Sequence, residues 1–103
     1  MSDQIEQMVR EIDKTAVEVF DLAARRQAKE KAGARRDAYE KGLREVREIA
    51  DDDDEAAREL SEWIQEEMRS REKYPSARNV RQQGAEIVRK RGHEVSTNDW
   101  LGA

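Results

Sequence analysis

The sequence predicts an all-α protein, a small bundle of about four helices followed by a short ordered tail. Three observations lead there. Apolar residues recur three and four positions apart along most of the 103-residue chain. Alanine, the strongest helix former, supplies thirteen residues. Capping and breaking residues (the Asp51–Asp54 run, Pro75-Ser76 and Gly92) fall where the apolar stripes pause.

The first helix is carried by Ile5, Met8, Ile12, Val19 and Leu22, with Thr15 interrupting the stripe and Val9, Ala16, Phe20 and Ala23 widening it. Ser2 or Asp3 suits its N-cap. Beyond Ala24 the large apolar residues stop, and Arg25 to Arg36 has only alanines to bury. Gly33 either turns the chain into a second helix, giving an antiparallel hairpin, or is absorbed in one helix running to about Ala50. A single glycine costs only about 1 kcal/mol against alanine. The hairpin is favoured, because a long solitary helix buries too little. In either case the stripe resumes at Tyr39, Leu43, Val46 and Ile49/Ala50.

Asp51–Asp54 ends that helix and starts the next. Aspartate is poor in helix interiors, good at N-caps, and matched in charge to the positive end of the helix dipole. The helix from about Asp54 to Arg71 points Ala56, Ala57, Leu60, Trp63, Ile64 and Met68 inward and carries carboxylates on its other face. Lys73-Tyr74-Pro75 stops it. Ser76 caps a last helix to about Arg91, with Ala77, Val80, Gly84, Ile87 and Val88 inward and Gly92 placed for a left-handed C-cap. In the tail, Val95, Trp100 and Leu101 are apolar anchors. The aspartate run divides the chain into an N-terminal helical hairpin or oligomerisation region, 1–50, and a C-terminal helical domain with a helix-turn-helix-like unit, 51–103.

Charge is segregated along this framework. Residues 25–47 carry nine basic and four acidic side chains, residues 48–68 one and ten, and residues 69–91 eight and two, so a formal net charge of −4 hides strong local fields. Leu, Ile, Val and Phe make up only 17 of the 103 residues, and a core that small is often completed by a second copy. A homodimer or higher homo-oligomer is expected. Without cysteine, a leader or a long apolar run, the expectation is a cytoplasmic, disulfide-free protein.

The pattern that points most sharply to chemistry is Tyr74-Pro75-Ser76-Ala77-Arg78-Asn79-Val80-Arg81-Gln82-Gln83. With Val80 and Gly84 inward, Arg78, Asn79, Arg81 and Gln82 stand on or near the exposed side of the first two turns. Arginine reads guanine, and asparagine or glutamine reads adenine. A helix N-terminus entered by a short turn is also where a helix-turn-helix puts its base contacts. Arg89, Lys90 and Arg91 at the far end suit phosphates, as do Arg69, Arg71 and Lys73 ahead of the turn. The function expected is therefore a small DNA-binding protein, a transcriptional regulator or nucleoprotein component. The alternative is a non-enzymatic helical adaptor whose acidic and basic helices pair with each other. Carboxylates closing on Arg78, Arg81, Arg89 and Arg91 would favour that alternative.

No enzyme, cofactor or metal site is expected. His93 is the only histidine and lacks a visible acid–base partner. Asp51–Asp54 has neither the alternation nor the glycine of a calcium loop. The basic block 25–47 reads as a solvated helix with i,i+4 pairs of the Glu40–Arg44 kind. Trp63 belongs with the core stripe.

Overall fold

The computed structural model describes residues 4–19 and 37–93. These form four helical segments with no strand among them: α1 (Gln4–Val19), α2 (37–49), α3 (Asp54–Arg71) and α4 (Ala77–Lys90). The chain is an all-α bundle, and no helix among the described residues is long and apolar enough to cross a membrane. A single straight helix from residue 4 to residue 49 would be about 69 Å long, whereas the longest dimension is 41 Å. So α1 and α2 are separate helices. The turn assigned to Gly33, the Arg25–Arg36 stretch, the α1 cap at Ser2 or Asp3, and the tail with Trp100 lie outside the described residues.

Among the described residues, each helix buries most of the stripe its spacing predicts. Ile5, Met8, Val9, Ile12 and Ala16 of α1 meet Tyr39, Leu43, Val46 and Ala50 of the α2 segment, Ala56, Ala57, Leu60, Ile64 and Met68 of α3, and Val80, Ala85, Ile87 and Val88 of α4. All belong to one buried cluster, to which residues on both sides of the aspartate run contribute. Trp63 and Ile49 pack against it half-buried, at its margin rather than inside it.

Two buried positions depart from the apolar pattern and explain each other. Thr15, which interrupts the α1 stripe, is 3% exposed, and Gln65 of α3 is 9% exposed. The Thr15 hydroxyl lies 2.9 Å from Gln65 Oε1 and 3.0 Å from the Glu11 carbonyl oxygen, so its proton has two acceptors. Gln65 Nε2 donates to Ser61 Oγ at 3.2 Å, and Arg69 Nη2 donates to Thr15 Oγ1 at 3.4 Å. Paired in this way, the polar atoms avoid the penalty of unsatisfied burial and bring the C-terminal halves of α1 and α3 together.

The α2–α3 and α3–α4 connections are short and capped. At the end of α2, Asp51 N donates to Glu48 O at 3.2 Å and Asp52 N to Arg47 O at 2.7 Å. This is the pair of bonds that defines a Schellman motif. Asp51 (φ 55°) and Asp52 (φ 62°) adopt the left-handed conformation usually left to glycine. Asp53 is the N-cap of α3, its side chain accepting from Glu55 N at 2.9 Å. At the other end of α3 Glu72 is left-handed as well (φ 49°). Pro75 and Ser76 then redirect the chain into α4. Tyr39, 4% exposed, donates its hydroxyl to the Pro75 carbonyl at 2.5 Å, so the start of α2 lies beside the turn that leads into α4.

Candidate nucleic-acid interface

The helix α4 begins where the sequence places it. Ser76 is extended (φ −73°, ψ 158°) and its Oγ accepts from Asn79 N at 3.1 Å, satisfying one of the helix's orphan donors. At its end, Arg91 is the C-cap and Gly92 is left-handed at φ 89°. Gly92 N bonds Arg89 O and His93 N bonds Val88 O, both at 3.0 Å, a second Schellman motif. His93 is thereby fixed through its backbone, with a half-buried ring.

With Val80, Gly84, Ala85, Ile87 and Val88 buried, a turn of about 100° per residue sends Arg78, Asn79, Gln82, Glu86, Arg89 and Lys90 outward, and all six are exposed. Three of the expected base-reading residues, Arg78, Asn79 and Gln82, therefore share one face. Arg78 and Gln82, four residues apart, lie on one ridge with Asn79 beside them. The same face carries Glu86, one carboxylate among three cations.

Four positions differ from the sequence-based expectation. Ala77, expected inward, is exposed, because the first helical residue stands at the edge of the packed face. Arg81 is half-buried, falling between Ala85 and Val88 around the helix, and its Nε is buried without a hydrogen-bond partner. Its stem flanks the core instead of standing beside Arg78. Arg91, expected to hold phosphate, donates from Nη1 to Asp53 Oδ2 at 2.8 Å and from Nη2 to Glu59 Oε2 at 3.3 Å. Arg71 pairs with Glu67 at 3.0 Å within α3, where an exposed i,i+4 pair holds it only weakly.

Within residues 37–47, Arg44 bonds Glu40 at 2.9 Å, the i,i+4 pair expected, whereas Arg47 lies 3.6 Å from Asp54 at the start of α3. In α1, Arg10 bonds Glu6 at 3.1 Å. Among the described residues no group of three or more His, Cys, Asp or Glu is arranged to hold a metal ion.

The Arg91 bridge also reveals the geometry of the α3–α4 unit. It joins the end of α4 to the start of α3, while residues 72–76 join the opposite ends. The two helices therefore run antiparallel with both ends tied along the ~27 Å length of α3. A helix-turn-helix instead splays its helices at about 90–120°. The side chains expected to read bases stand here on a closed hairpin. No protein-family model, curated protein or solved structure matches the chain.

Proposed function

We propose that this chain is a small DNA-binding protein that contacts nucleic acid through the exposed face of α4. The observation that carries this reading is the exposure of Arg78, Asn79 and Gln82 together on the first two turns of a capped helix. Among the described residues no carboxylate lies within ion-pair distance of Arg78 or Lys90, so the acidic helix α3 leaves these two cations unpaired. Arg78 supplies a fork matched to guanine, and Asn79 and Gln82 supply the paired donor and acceptor matched to adenine. Lys73, exposed ahead of the turn, and Lys90 add phosphate contacts. A homodimer in the cytoplasm belongs to the same proposal; it doubles the contacts, and the solution mass tests it.

The deciding experiment is duplex-DNA binding measured against salt. The reading requires the logarithm of the affinity to fall linearly with the logarithm of the salt concentration. It also requires Arg78→Ala combined with Gln82→Ala to lower affinity at least tenfold, since each lost base contact costs about 1–3 kcal/mol, with helicity unchanged. Absence of binding at low salt, or unchanged binding by the double variant, would overturn it.

One observation favours the adaptor reading: the bridge from Arg91 to Asp53 and Glu59 is acidic–basic pairing between α3 and α4. It engages Arg91, at the end of α4 distant from Arg78. For that reason DNA binding stands first.

A further inference from the structure

Arg91 is an expected phosphate contact that the bundle itself holds with two carboxylates, one at the start of α3 and one further along it. Its guanidinium spans Asp53 Oδ2 at 2.8 Å and Glu59 Oε2 at 3.3 Å. We infer that this bridge is a latch: Asp53 and Glu59 hold Arg91 while the chain is free, and a nucleic-acid phosphate competes with them for it. The inference rests on the nucleic-acid reading above and adds its regulation.

Three features support competition over a permanent structural tie. The Arg91 side chain is 30% exposed and its partners are 38% and 46% exposed, and ion pairs so open to water are weak and salt-sensitive. Arg91 is the C-cap residue, beyond the last helical position Lys90, so a released side chain can swing toward the side of Arg89 and Lys90. Finally, a guanidinium fork engaging two separate carboxylates is equally suited to the oxygens of one phosphate. The exchange moves no proton and breaks no covalent bond; one anion replaces another.

Asp53 also caps α3 through its other oxygen, at 2.9 Å from Glu55 N, so the latch must be opened without removing the cap. Asp53→Asn with Glu59→Gln does this, since asparagine caps as well as aspartate. Binding of a short mixed-sequence DNA duplex would be followed through a potassium chloride titration for the wild type, for this double variant, and for both again carrying Arg91→Gln. A charge control, Asp51→Asn with Asp52→Asn, changes net charge equally without touching Arg91.

The latch predicts a gain of about two- to fivefold for Asp53→Asn/Glu59→Gln, the span of an exposed ion pair. It also predicts a somewhat steeper salt slope, because in the wild type the freed Asp53 and Glu59 take up cations as Arg91 moves to phosphate and offset part of the counterion release. Both changes should vanish in the Arg91→Gln background. Binding seen only in the double variant with Arg91 intact supports the latch equally. An equal gain with and without Arg91, or an equal gain in the charge control, overturns the latch and leaves the nucleic-acid reading standing. No binding by any protein at low salt overturns both.

Discussion

Asp53, the N-cap of α3, accepts from Arg91, the C-cap residue of α4, at 2.8 Å. One carboxylate thus serves two helix ends: Oδ1 takes the Glu55 amide at 2.9 Å while Oδ2 holds the guanidinium. Capping of α3 and closure of the α3–α4 hairpin are coupled through a single side chain, and the middle of the aspartate run is where that coupling sits.

The two roles separate by substitution. Asp53→Ala should destabilise the fold by about 1–2 kcal/mol, most of it the lost cap. Asp53→Asn keeps the cap and should cost well under 1 kcal/mol, the value of an exposed ion pair. Urea denaturation of the two variants, beside Arg91→Gln, checks this. An Asn variant as unstable as the Ala variant would show that the bridge to Arg91 dominates the cap.

The two Schellman motifs invite opposite substitutions. Asp51 occupies a left-handed position at φ 55°, and Gly92 occupies the matching position at φ 89° with open space where a Cβ would go. Asp51→Gly should therefore stabilise the protein by about 0.5–1 kcal/mol, relieving left-handed strain and one charge of a crowded run. Gly92→Ala should destabilise it by about 1 kcal/mol through backbone conformation alone. Thermal denaturation of each variant reads the sign directly.

Thr15 and Gln65 form a buried polar contact between α1 and α3. Thr15→Val removes the donor and leaves the Gln65 amide oxygen buried without it, an expected loss of about 1–3 kcal/mol. Thr15→Val with Gln65→Leu removes both partners and should recover most of that loss, because matched apolar replacement is close to neutral. A double-mutant cycle by chemical denaturation gives the coupling, expected at about 0.5–3 kcal/mol. Strict additivity would mean that the hydroxyl is satisfied by the Glu11 carbonyl alone.

Much of this bundle is legible in the sequence because helix periodicity and capping are local. The bounds Asp54–Arg71, the Ser76 cap and the Gly92 terminus follow from neighbouring residues, and they stand in the structure as read. What is not legible depends on partners distant in sequence. Thr15 appears as a flaw in the α1 stripe until Gln65, fifty residues on, is brought against it. Gln65 and Ser61 look like ordinary solvated positions until α1 covers them. The candidate interface divides along the same line. Exposure of Arg78, Asn79 and Gln82 follows from the pitch of α4 alone, whereas the holding of Arg91 depends on the start of α3 lying beside the end of α4. Arg81 is an intermediate case: its angle between Ala85 and Val88 is readable, but the core it flanks is not.

Tyr39 connects the fold to the candidate interface. Its hydroxyl donates to the Pro75 carbonyl at 2.5 Å, inside the bundle, and Pro75 immediately precedes the Ser76 cap that sets the direction of α4. Tyr39→Phe keeps the ring in the core and leaves that carbonyl without its donor, so a loss of about 1–3 kcal/mol is expected with helix content retained. If the bond also aims the first turns of α4, the variant should bind duplex DNA more weakly under conditions where it is fully folded, with an unchanged salt slope because no cation is lost. A flatter slope would instead mean that the substitution has withdrawn a charged contact, and unchanged affinity would confine Tyr39 to stability.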